Sequence, residues 1–175
     1  MAVSTVAVGA EPPLAELEQE ARAIVKRFGG TLKPSLLNAV QTGGAASAIA
    51  VCEEQAPAIA KQLSQETGWR VRRVSLKARN ASAEPDSFER GILQDFDARQ
   101  TSGEPAQTLT HSGLTDDSYH FLQAQPVEPL CLVCHGPSLA PDVEAALARH
   151  YPDDRATGYT LGQVRGAFSL SRPVE

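Results

Sequence analysis

The segment Val127-Glu128-Pro129-Leu130-Cys131-Leu132-Val133-Cys134-His135-Gly136-Pro137 decides how the rest of the chain is read. Two cysteines separated by two residues, with His next in line, meet the needs of c-type haem attachment. Each thiol adds to a vinyl group, and the imidazole ligates the iron. Cys-x-x-Cys alone would serve a redox dithiol or half a zinc site equally well. A four-ligand zinc site wants a second Cys/His pair, whereas His111, His120 and His150 stand singly. A thioredoxin-like pair wants the motif at the start of a helix after a strand, and Gly136-Pro137 are expected to interrupt any helix here. The bland alternative is a Cys131–Cys134 disulfide in an exported protein. The motif lies three-quarters of the way along the chain, while an ordinary small cytochrome c is nearly all helix and carries it near the N-terminus. A different scaffold is therefore expected.

Upstream of the motif the chain is first helical and then mixed. Leu14, Leu17, Ala21, Ile24 and Phe28 recur at helical spacing between Pro12-Pro13 and Gly29-Gly30, which predicts a helix of about four turns. Pro34, Leu36, Leu37 and Val40 predict a second short helix stopped by Gly43-Gly44. Ala45 to Leu63 predicts a third, kinked or restarted at Pro57. Over Arg70 to Arg79, Val74, Leu76 and Ala78 alternate with charged and polar residues, as in a half-buried strand with one basic face. Asp86 and Glu89 are spaced as a capping box before Phe88, Ile92, Leu93 and Phe96. Residues 100–118 are polar, a loop or hairpin region, and Tyr119 to Val127 is expected to be extended. Beyond the motif, Asp142 to Tyr151 predicts a short helix and Val164 to Ser171 a last strand. This order predicts an α+β domain with an antiparallel sheet.

Composition sets the outer bounds. A chain of 175 residues with 42% hydrophobic and 21% charged content is an ordinary globular one, long enough for a core without disulfides. A net charge of −5 gives no reason to expect nucleic acid, and no apolar run is long enough to span a membrane. Residues 1–10 are small and apolar and end in Ala7-Val8-Gly9-Ala10, the trace expected of a signal peptide, leaving 11–175 as one domain. Since this kind of attachment is completed outside the cytoplasm, a periplasmic location is expected.

The position opposite His135 is the open question. Met1 is the only methionine and sits at the chain end, so the His/Met pair of common electron carriers is unavailable. Cys52, His111, His120 and His150 remain, or an open position. Cys52 shares a helical face with Ile49, Ala56 and Ile59 and is expected to point into the core, where a thiol is commonly a small hydrophobe. His120 lies on the strand entering the motif and is the best of the histidines.

Several separated stretches resemble one family: the PAS-like c-type haem domains of otherwise unknown function, found as stand-alone exported bacterial proteins and as sensor portions of membrane signalling proteins. The stretches are Cys52-Glu53-Glu54-Gln55-Ala56-Pro57, Val74 to Asn80, Glu128 to Gly136, Tyr151 to Tyr159, and Gly162 to Ala167. The resemblance spans roughly residues 14–171 and implies a PAS-like antiparallel sheet flanked by helices. It further implies one haem c attached through Cys131 and Cys134 and ligated by His135 and Cys52. A thiolate stabilises ferric iron, so a low potential follows, and a bond that weakens on reduction opens the iron to NO or CO. Arg73, Lys77 and Arg79 are candidates for pairing with the propionates, and Tyr159 with Arg165 for lining the pocket.

The expected role is thus redox or diatomic-gas sensing, or low-potential electron transfer, handed to a redox or signalling protein partner, with a homodimer as one assembly the chain could form. The alternatives are a haem enzyme with an open distal site, for which no distal His/Arg pair is recognisable, and a non-haem interaction module.

Overall fold

A computed structural model of the chain describes residues 13–115 and 117–174. The expected leader at residues 1–10 lies outside the described residues. Among the described residues the fold is α+β: five α-helices around one four-stranded antiparallel sheet of order β1-β4-β3-β2. The strands are β1 (Arg70–Val74), β2 (Thr110–Thr115), β3 (Ser118–Pro126) and β4 (Val164–Pro173). The polar region before residue 118 resolves into β2, hairpinned onto β3.

Helix α1 (Leu14–Gly43) runs unbroken through Gly29-Gly30 and Pro34, where two helices were expected. Pro34 lacks the N–H that would bond the carbonyl of Gly30, so the glycines and the proline weaken the same turn. Burial of Phe28 and Leu32 before Pro34 and of Ala39 after it carries the helix across. Helix α2 (Ala45–Thr67) likewise continues through Pro57 and ends on Gly68 at φ 75°, a left-handed cap.

These two helices cover one face of the sheet. Val71, Tyr119, Phe121, Phe168 and Leu170 meet Leu17, Ile24, Phe28, Ile59 and Leu63 there. Phe28 and Phe168 pack edge to face at 5.1 Å, and the Trp69 indole N–H donates to Glu20 at 3.1 Å. Helix α3 (Ser87–Thr101) covers the opposite face, with Leu93 and Phe96 against Val74, Leu122, Ala124 and Ala167. Its predicted capping box is formed: Asp86 accepts from Glu89 N–H, and the Glu89 carboxylate accepts from Asp86 N–H.

At one end of the sheet, α4 (Pro129–His135) and α5 (Pro141–His150) close against α2. Ile49 of α2 packs with Val143, Ala146, Leu147 and Tyr151.

Candidate functional site

The Cys-x-x-Cys-His stretch forms a seven-residue helix directly after a strand, contrary to the expectation that Gly136-Pro137 would prevent one. Pro129 at the first helical position presets its φ, and Gly136 ends it, where an added Cβ would stand 2.6 Å from the carbonyl of Leu132. At about 100° per residue, Cys131, Cys134 and His135 share one face and Val133 points away, the one large exposed apolar side chain of the helix. Cys131 packs against the cluster of Val127, Ala156 and Tyr159, and Cys134 against that of Ile49, Val143, Ala146, Leu147 and Tyr151, its Sγ 3.9 Å from the Ala45 carbonyl oxygen. All three cysteines of the chain are free. Among the described residues no group of three His, Cys, Asp or Glu is close enough to hold a bare metal ion.

His135 turns inward to a cavity of about 350 Å³ between α2, β1 and the end of β4. Its Nδ1 stands 2.6 Å from the carbonyl oxygen of Ala156. A carbonyl only accepts, so Nδ1 carries the proton, and in the neutral ring Nε2 is left with a free lone pair. Burial first, then the Arg79 cation, pushes the imidazole pKa down to about 3, which keeps the ring neutral.

Cys52 lines the same cavity from α2, one turn before Ala56 and Pro57. It is therefore a wall residue, not a core one as its helical face suggested. A nitrogen donor and a sulfur donor thus share one cavity, with apolar lining from Phe28, Ala56, Ala60 and Val71. The other histidines lie elsewhere. His111 and His120 pack against Phe88 of α3 at 5.7 and 4.9 Å, on the far side of the sheet. His150 pairs with Glu53 at 2.6 Å.

The basic residues separate. Strand β1 stops at Val74, because the Ser75 hydroxyl accepts from Lys77 N–H and donates to the Arg165 carbonyl, bending the chain there. Arg73, Lys77 and Arg79 accordingly do not share one strand face. Arg73 remains on the cavity wall, its Nε 3.3 Å from Gln125 and its guanidinium over Phe28. Lys77 donates to the Thr157 carbonyl at 2.7 Å and lies over the Tyr159 ring, lining a second cavity of about 290 Å³. Tyr159 lines that second cavity too and meets His135 edge-on from behind, ring centres 6.4 Å apart. Arg79 borders the main cavity, but its guanidinium is bound to Asp154 and to the carbonyls of Cys134 and Ala156.

Two further residues matter here. Arg165 is the extra residue of a β-bulge: Gln125 pairs with Gly166 and Pro126 with Val164, leaving Arg165 unopposed and on the wall of both cavities. Asp154 accepts from Ala156 N–H at 2.8 Å, an Asx turn that holds the carbonyl facing His135.

No curated protein matches the chain significantly. Among solved structures it is similar to the cyanobacterial haem protein Tll0287, with a TM-score of 0.72 and 24% identity over 93% of this chain and 97% of that one. The model of the Tll0287-like family matches residues 10–173, almost the whole length, and the chain belongs to that family.

Proposed function

We propose that this chain is a haem protein that holds one haem c in the cavity between α2 and the sheet. Its attachment would run through Cys131 and Cys134, with His135 Nε2 and the Cys52 sulfur as axial donors. The observation that carries the reading is that His135, with its proton fixed on Nδ1, and Cys52 line one cavity. Membership of a family whose solved relative is a haem protein supports it. The lining suits the group: apolar walls for a flat ring, and Arg73 and Arg165 for its carboxylates. Cys131 and Cys134 stand on the α4 face that carries His135, just outside the cavity lining, so attachment needs the ring edge to reach α4.

Bound there, haem would supply one-electron chemistry, and a thiolate ligand would favour the ferric state. The reading is a redox or diatomic-gas sensor, or a low-potential electron carrier, working in the periplasm with a protein partner. Maturation in a host that attaches c-type haem, followed by denaturing electrophoresis stained for haem, tests the attachment. The wild type should keep its haem through denaturation and a Cys131→Ala, Cys134→Ala double variant should release it. A wild type that loses its haem on denaturation overturns covalent attachment, and one that never takes up haem overturns the reading.

A further inference from the structure

Behind His135 lies a pair of charges that the ligand set does not require. Arg79 and Asp154 form an ion pair at 3.1 Å, with side-chain exposures of only 10% and 9%. Taking two charges out of water costs about as much as their attraction returns, so stability alone does not account for them. Every bond they make ends on the backbone that holds the histidine. Asp154 Oδ1 accepts from Arg79 Nε at 3.1 Å and from Ala156 N–H at 2.8 Å. Arg79 Nη2 donates to the Cys134 carbonyl at 2.5 Å and reaches the Ala156 carbonyl at 3.3 Å. That same Ala156 oxygen accepts the Nδ1 proton of His135. Two chain segments, 134–136 and 156–159, are then tied across by Tyr159 N–H to His135 O and Gly158 N–H to Gly136 O.

We propose that Arg79 and Asp154 are positioning residues for the His135 imidazole. They hold the Ala156 carbonyl under Nδ1, so that Nε2 stays bare, and they set how much electron density the ring can offer at Nε2. Outer hydrogen bonds of this kind fix the tautomer and raise the basicity of a ligating histidine. Arg79 draws on the Ala156 oxygen and adds a positive charge beside the ring, which weakens donation from Nε2. Asp154 opposes it. The two side chains therefore act together on geometry and against each other on charge. The effect on iron rests on the haem reading above, whereas the fixing of the tautomer does not.

The haem-free chain tests the first half by ¹⁵N NMR of the His135 ring. The wild type should show a single neutral form protonated at Nδ1, and Asp154→Asn a mixture that includes the Nε2-protonated form. A tautomer unchanged in Asp154→Asn overturns the positioning role. The haem-loaded protein tests the second half through its midpoint potential. Arg79→Gln should lower the potential and Asp154→Asn should raise it, because one removes a positive and the other a negative charge. A pair acting only as a structural clamp would move both the same way, and that result, or no shift at all, overturns the tuning role. Should Arg79→Gln fail to fold, Arg79→Lys keeps the charge without the forked donors. It should mix the tautomers while leaving the potential near that of the wild type, and a potential moved as in loss of the charge overturns the proposal. Failure of the wild type to take up haem would count against the haem reading and leave the NMR result to decide the positioning role.

Discussion

The two faces of the sheet are made by the same four strands and differ in what they carry. Beneath α3 the face is packed around Leu93, Phe96, Leu109, Leu122 and Ala167, all almost wholly buried, and it opens beside Tyr159 into the smaller second cavity. Its one buried carboxylate, Glu89, is bonded to Ser169 Oγ at 2.7 Å and Asp86 N–H at 3.0 Å, with Arg72 at 3.4 Å. Beneath α1 and α2 the packing is equally tight around Trp69 and Phe28, then opens at the α4 end into the cavity of Cys52 and His135. Stability and ligand chemistry are thus separated across the thickness of one sheet. On the α3 side the buried Glu89 is held by Ser169, Asp86 and Arg72, while Arg73 and Arg165 on the main cavity wall border space that a ligand could fill.

Substitutions on the two faces should divide accordingly. Phe96→Ala, at a wholly buried position, should cost about 3–5 kcal/mol in denaturant unfolding and leave the haem spectrum of the surviving folded protein unchanged. A spectral change as large as that of a cavity variant would break the separation. Glu89→Gln should cost about 1–3 kcal/mol, since it disturbs a buried carboxylate with three partners, again without a spectral signature. Gly166→Ala falls where the faces meet: its Cβ would stand 2.3 Å from the Val74 carbonyl. It should cost about 1–3 kcal/mol and, by displacing the neighbouring Arg165, also shift the potential. The smallest effect is on reactivity. Burial pushes the Cys134 thiol pKa up, so in the haem-free chain alkylation of Cys134 at pH 8 should be slower than that of a free cysteine in solution. Alkylation as fast as that of the free amino acid would show α4 to be looser than the packing of Cys134 against the Ile49 and Val143 cluster implies.

How much of this was legible in the sequence depended on whether the signal was local. The capping box of Asp86 and Glu89, the strand after Ser118 and the helix starting beside Asp142 are written in neighbouring residues, and each formed where expected. The break of α1 at Gly29-Gly30 and Pro34 was also a local signal, and packing of the helix along its whole length overrode it. The end of β1 at Val74 was invisible because it depends on Ser75 meeting Arg165, 90 positions away. In the site, the motif could be singled out by chemistry alone, whereas Cys52 was one of several candidates until the family resemblance pointed to it. Arg79 was legible as one of three basic residues and Tyr159 through the resemblance, but not their tasks: one is spent on Asp154 and two carbonyls, the other lies edge-on to the imidazole from outside the main cavity. Asp154 had the spacing of an Asx turn onto Ala156, a signal that would have pointed to it.

The central claim is that Cys52 and His135, which line a single cavity, are donors to one iron. The most direct measurement is the ferric absorption and EPR spectrum of the matured protein beside that of Cys52→Ala. The wild type should be low-spin with a thiolate-to-iron charge-transfer band, and the variant should lose that band and shift its Soret maximum while retaining covalent haem. Identical spectra for the two proteins would contradict the account.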